Sequence, residues 1–160
     1  MTEGYKMNAT EMNRIEKQIL LRAPRERVWQ AITDIGEFSK WFNVKAEDPF
    51  TPGARVRMIS THRSCEGESF YVFVEEMEPP RKFSWRWHPG MKDPGVDYHT
   101  EPTTLVVFLL EEVEGGTLLT ITESGFNRIS LVRRAAVFQQ NTGGWEFQLK
   151  QIENHVGQAA

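Results

Sequence analysis

The chain has a single cysteine, Cys65, among 160 residues. One thiol closes no intrachain disulfide, and it is too few for a four-thiolate iron–sulfur cluster or a cysteine-rich zinc site, so a reducing cytoplasm is the expected compartment. Basic excess is lacking as well: 19 Lys and Arg stand against 22 Asp and Glu, a net charge of −3. Binding by counterion release needs clustered positive charge, and nucleic acid is therefore not an expected partner. No apolar run is long enough for a membrane span. The opening MTEGYKMNATEMN has neither the apolar stretch of a secretory signal nor the arginine-rich pattern of a transit peptide, and residues 1–13 are expected to form a disordered tail. Without a secretion signal, the glycosylation triplet Asn8-Ala9-Thr10 carries no weight. The chain also lacks a G-x-S-x-G elbow, a G-x-G-x-x-G turn, a P-loop and H-E-x-x-H, which removes the enzyme classes built on them; no cofactor is expected.

What remains is the composition of a soluble globular domain, 39% hydrophobic and 26% charged. A chain of this length buries roughly 70% of its unfolded surface, enough for one core without disulfides or metals. That single domain is expected over residues 14–157. Ile15, Ile19 and Leu21 alternate with Glu16 and Gln18, a half-buried strand ending at Arg22. Pro24 is preset for a first helical turn, and Val28, Trp29 and Ile32 follow at helical spacing. A second short helix is expected over Glu37 to Phe42, with Asp34 as a cap and Phe38, Trp41 and Phe42 on its apolar face.

From Ala54 onward the pattern is strands divided by turn residues: Ala54 to His62, Ser69 to Met77, Lys82 to His88, Thr103 to Val113 and Thr117 to Ser124. The one long connection runs from Pro89 to Pro102 and is a candidate lid or pocket rim. Val137 or Phe138, Asn141, Trp145, Leu149, Ile152 and Val156 then recur at steps of three and four, predicting a long helix from Leu131 to Val156. Gly143 and Gly144 sit inside it at a cost of about 1 kcal/mol each relative to alanine, which asks for a close backbone approach or a kink. The order strand, two helices, strands, long helix predicts an α+β fold. A curved antiparallel sheet of about six or seven strands wraps around the C-terminal helix, leaving a concave apolar pocket where side chains do not fill the gap.

Several stretches carry a resemblance: Ala23-Pro24 through Val28-Trp29, Trp41-Phe42, Pro52-Gly53, Glu78-Pro79-Pro80-Arg81, Phe83-Ser84-Trp85-Arg86-Trp87, Gly116-Thr117, Glu123-Ser124-Gly125-Phe126, and Asn141 through Gly144-Trp145. Together they resemble the SRPBCC superfamily, the START-like or birch-pollen-allergen-like helix-grip domains. The closest likeness is to the bacterial branch related to the C-terminal domain of the activator of the heat shock protein 90 ATPase. The resemblance implies a hydrophobic cavity between sheet and helix. It leaves function open, because members carry lipids, sterols or hormones, cyclise polyketides, or act as interaction modules.

Candidate site residues follow from phase and spacing. Phe83, Trp85 and Trp87 share one strand face, and Val106, Phe108 and Leu110 share another, so an inward orientation makes the cavity aromatic; ordinary core packing is the alternative for each. Glu123 lies in phase with Leu119 and Ile121, which carries a carboxylate into the interior. It must then be paired, hydrogen-bonded or protonated, with Asn141, Trp145, His62 or a facing arginine as candidate partners. Asn141, Trp145 and Leu149 form an i, i+4, i+8 line toward the sheet. Trp41 is placed near the pocket mouth and Phe138 on the helix face above the cavity. The long connection contributes His88, Asp93, Asp97, Tyr98 and His99, without the spacing of a metal site. His99-Thr100-Glu101 has the form of half a zinc-deaminase signature whose paired cysteines are missing.

Three functions are expected in order. The first is a binding protein for a small hydrophobic or aromatic ligand, oriented by Glu123 and Asn141. The second is a cofactor-independent cyclase, dehydratase or hydrolase with Glu123 as general base. The third, implied by the resemblance alone, is a chaperone-linked interaction module, weighed down by the additional N-terminal domain that the eukaryotic activators carry and these residues do not include. Nothing in the sequence selects between a monomer and a twofold homodimer.

Overall fold

The computed structural model describes residues 13–90 and 100–157. Strand β1 (Arg14–Leu21) turns Ile15 and Leu21 inward, as its alternation predicts. Helix α1 (Arg25–Thr33) buries Val28, Ala31 and Ile32. Pro24 stands one position before the helix rather than inside its first turn: it is extended, at φ −62 and ψ 153, and its carbonyl accepts from the N–H groups of Arg27 and Val28. Asp34 ends α1 and caps helix α2 (Ile35–Phe42), its side chain accepting from Glu37 N–H at 3.0 Å. Asn43 closes α2 in the left-handed region at φ 59, a conformation that asparagine tolerates better than most residues.

Six further strands follow. They are β2 (Val44–Ala46), β3 (Arg55–Ser60), β4 (Ser69–Glu78), β5 (Lys82–Trp87), β6 (Thr104–Val113) and β7 (Gly116–Ser124). All neighbours are antiparallel, in the order β1-β7-β6-β5-β4-β3-β2, so the first strand returns to pair with the last. The short β2 has no counterpart in the sequence reading. Strand β3 stops at Ser60 rather than His62, because the chain there enters a 3-10 turn at Arg63–Cys65 whose first N–H groups include Ser64 N–H, bonded to His62 Nδ1 at 3.1 Å. At the β6–β7 hairpin, a Cβ on Gly116 would collide with the carbonyl oxygen of Leu21, so the close approach of β1 requires glycine there.

Helix α3 (Leu131–Gly157) is about 40 Å long at 1.5 Å per residue and buries Val137, Phe138, Trp145, Leu149, Ile152 and Val156. These are the positions that the three-and-four spacing selects. Of the two readings of the glycine pair, the close approach is not met: a Cβ on Gly143 or Gly144 meets nothing within 4 Å among the described residues. Between α3 and the sheet lies an aromatic core centred on Trp85, which is fully buried against Phe38, Phe42, Phe83 and Phe108 with centroid distances of 5.1–6.0 Å. No helix among the described residues is long and apolar enough to cross a membrane.

The three helices meet at Glu37. Its Oε1 accepts from Arg27 Nη1 of α1 at 2.7 Å and pairs with His155 Nε2 of α3 at 2.8 Å, with the Glu37 side chain 19% exposed. Burial pushes the Glu37 carboxyl upward, but the hydrogen bonds from His155 and Arg27 outweigh it and hold the group below its ordinary 4.5. A depressed carboxylate contributes stability that is fully present above the unfolded value and is lost as pH falls through the folded one. The stability gap between wild type and Glu37→Gln is therefore expected to be widest above pH 4.5 and to close in stronger acid, as urea denaturation across pH checks. A second expectation concerns the exposed glycine: Gly143→Ala should raise stability by up to about 1 kcal/mol, since nothing stands where the methyl goes. A loss of stability in the same assay would reveal a packing role for that bare backbone.

Candidate functional site

Strand β7 carries Glu123 inward beside Val106 of β6 and Ile15 of β1, its register partners on either side. No part of Glu123 is exposed. Thr104 lies two residues before Val106 on the same face, and Trp87 of β5 is the register partner of Thr104, so the sheet itself aims both at the carboxylate. Thr104 Oγ1 donates to Oε2 at 2.6 Å and Trp87 Nε1 donates to the same oxygen at 2.8 Å. From above, α3 supplies Trp145 Nε1 to Oε1 at 2.8 Å and Asn141 Nδ2 to both oxygens at 2.9 and 3.0 Å. Asn141 and Trp145 are one turn apart, so a single rotation of the helix places both.

This is a buried carboxylate held by neutral donors. An uncompensated charge in the interior costs several kcal/mol, and here two indoles, an amide and a hydroxyl replace the water it has lost. The bonds join β5, β6, β7 and α3 at one point.

Beside this cluster, and on its solvent side, opens a cleft of about 490 Å³. Trp87, Trp145, Phe42 and Phe70 give it aromatic walls, with Trp87 at 5.9 Å from both Phe70 and Trp145 between ring centroids. Its opposite rim is the turn after β3, where Cys65 Sγ lies 3.0 Å from Ser60 Oγ and His62 Nδ1 lies 2.8 Å from Ser64 Oγ. On the helix side the cleft is floored by Asn141, Gly144 and Gln148. Near its mouth, Arg133 of α3 forms a two-pronged ion pair with Glu101 at 2.9 Å and donates to the Pro89 carbonyl at 3.3 Å. Among the described residues, no group of three or more His, Cys, Asp or Glu is arranged to hold a metal ion.

The family model for Activator of Hsp90 ATPase homolog 1-like protein matches residues 22–157. This chain belongs to that family. Its fold is shared with solved structures at low identity. Protein MLL2253 from Mesorhizobium loti superposes with a TM-score of 0.73 at 21% identity, over 92% of this chain and 98% of its own. Protein CV1439 from Chromobacterium violaceum gives 0.70 at 22%, over 90% and 96%. A protein from Arthrobacter aurescens gives 0.75 at 16%, over 96% and 90%. No curated protein matches the sequence. The helix-grip architecture expected from the SRPBCC resemblance is the architecture observed, with seven strands.

Within this family member, the sequence candidates divide by depth. Trp87, His88, Asn141 and Trp145 line the cleft, and Glu123 lies directly behind the last two. Trp85 and Phe108 are fully buried in the core and do not reach the cleft wall. Trp41 is 2% exposed and donates its indole N–H to the Ala31 carbonyl at 2.7 Å, locking α2 onto α1 rather than standing at the mouth. Phe138 packs on Phe126 at 5.2 Å, away from the cleft. Asp97, Tyr98 and His99, together with Asp93, lie outside the described residues. Neither His62 nor an arginine bonds Glu123: His62 sits on the rim, and Thr104 and Trp87 take the place foreseen for them. Thr104 could have been found from its phase with Val106 and Phe108, and the costly glycine pair in the helix pointed to Gly144; Phe70 and Gln148 carried no sequence signal.

Trp145→Phe keeps most of the ring and removes one charge-assisted bond to the carboxylate. A loss of about 2 kcal/mol in unfolding free energy is expected. A change near zero in chemical denaturation would mean that the indole N–H does not hold Glu123.

Proposed function

We propose that the chain is a binding protein for a small hydrophobic or aromatic molecule, held in the cleft between the β3–β5 end of the sheet and α3, in a bacterial cytoplasm. The carrying observation is the wall formed by Phe42, Phe70, Trp87 and Trp145 around about 490 Å³ of space. That volume falls in the range of small-molecule pockets, and aromatic faces with a few fixed polar groups are their usual lining. The single thiol of the chain supports the compartment.

The enzyme alternative is less well supported. A general base needs an oxygen within reach of its substrate, whereas Glu123 is 0% exposed and both of its oxygens already accept hydrogen bonds. A chaperone-linked role has the family description behind it and no feature of the cleft.

Native mass spectrometry of freshly purified protein, with extraction of anything released on denaturation, tests the proposal. A retained aromatic or hydrophobic compound is expected. Gly144→Leu, which places a branched side chain in the open space above the helix, is expected to lose it while keeping its melting temperature within a few degrees. An empty protein that also shows no thermal shift across an aromatic and lipid library would overturn the reading.

A further inference from the structure

A side-chain amide has two unlike ends, and the partner of one end decides what the other presents. Asn141 Nδ2 lies 2.9 and 3.0 Å from the two oxygens of Glu123. An ionised carboxylate only accepts, so the amide nitrogen must face it and the carbonyl oxygen must face away. Among the described residues nothing donates to Asn141 Oδ1, and it is not among the buried atoms left without a partner, so this oxygen is open on a residue that lines the cleft. Gln148, two turns along the same helix face, is oriented otherwise: its Nε2 donates to the Phe42 carbonyl at 3.4 Å, and its Oε1 is buried with no partner among the described residues. Gly144, between them, adds no side chain.

The stripe Asn141, Gly144, Gln148 thus offers one carbonyl oxygen to the cleft, Asn141 Oδ1, since Gln148 Oε1 is buried. The indole donors beside it do not compensate, because Trp87 and Trp145 both give their N–H to Glu123. Among the described residues no lysine or arginine lines the cleft, and Glu68 adds a carboxylate, so an anionic ligand finds no counter-charge among them. On the far rim, His62 Nδ1 accepts from Ser64 N–H, which leaves Nε2 as the donor of the neutral ring.

We infer that the cleft selects an uncharged aromatic ligand carrying a hydroxyl or N–H group that donates to Asn141 Oδ1, and that Glu123 sets this preference without touching the ligand, by fixing which end of the Asn141 amide faces out. The inference rests on the cleft being a small-molecule site. Glu123 acts as a positioning residue. In Glu123→Gln the new amide brings an N–H group of its own into a ring of donors. The arrangement that restores donor–acceptor pairing turns Asn141 around, with Oδ1 inward and Nδ2 toward the cleft.

The test compares 2-naphthol, which donates, with 2-methoxynaphthalene, which only accepts, by calorimetry and by NMR of the indole and side-chain amide signals. Wild type is expected to bind 2-naphthol about tenfold more tightly, the scale of one hydrogen bond. In Glu123→Gln the ratio is expected to fall to one or below, with the Asn141 amide protons losing protection from exchange. If that variant does not fold, the wild-type complex decides: the 2-naphthol hydroxyl is expected to show NMR contacts to the Asn141 side chain while the Nδ2 protons stay protected from exchange. Equal binding of both probes to wild type, a hydroxyl placed away from Asn141, or a tenfold preference that survives in folded Glu123→Gln overturns the inference while the cleft remains a binding site. Binding of neither probe at millimolar concentration overturns the inference and counts against the proposed function with it.

Discussion

A carboxylate removed from water with no cation beside it is the constraint around which this molecule is arranged. Glu123 can be tolerated only if every donor is in place together, and those donors come from β5, β6 and α3, separated by up to 58 positions along the chain between Trp87 and Trp145. Cluster and fold therefore specify each other. The helix cannot rotate without withdrawing Asn141 and Trp145, and β5 cannot slip against β6 without moving Trp87 off the face that Thr104 shares. Strand register is fixed wherever one face is buried, and a polar focus on that face adds direction to what apolar packing alone leaves adaptable. Neutral donors also carry little of the sensitivity to ionic strength that exposed ion pairs show.

The strands and the long helix were legible because their burial alternates with the period of the backbone. Ile15 to Leu21 and Leu119 to Glu123 show period two, and Val137 to Val156 shows the helical period. Strand β2 was not legible, since three residues directly after a left-handed Asn43 contain too little alternation to register. The inward turn of Glu123 followed from phase with Leu119 and Ile121, and its helix partners from a four-residue step. Of its sheet partners, Thr104 shares the phase of Val106 and Phe108, but bringing it and Trp87 to the carboxylate required the alignment of β5, β6 and β7.

Depth was the other illegible quantity. Trp85 and Trp87 share a strand face and a residue type, yet one is sealed among rings and the other lines the cleft. The difference is two residues along β5: Trp85 is ringed by Phe38, Phe42, Phe83 and Phe108, whereas Trp87, the last residue of the strand, packs on Phe70 and Trp145 at the cleft wall. Gly143 and Gly144 mislead in the opposite sense: a costly pair in a helix suggests contact, and the structure surrounds both with open space. Relatives with the same architecture at 16–22% identity show how little of the side-chain set the fold itself demands.

Arg133 holds Glu101 with two bonds and the Pro89 carbonyl with a third, so one side chain on α3 gathers both flanks of the connection between β5 and β6. With the ends pinned to a common point, lengthening the chain between them adds only the logarithmic entropy of a larger closed loop, about 0.6 kcal/mol for each doubling. Arg128 Nη2 adds a further tie at the Thr103 carbonyl, 3.2 Å away. Two guanidinium groups thus close the loop before β6 begins, so a change of length between Pro89 and Glu101 costs loop entropy rather than strand register.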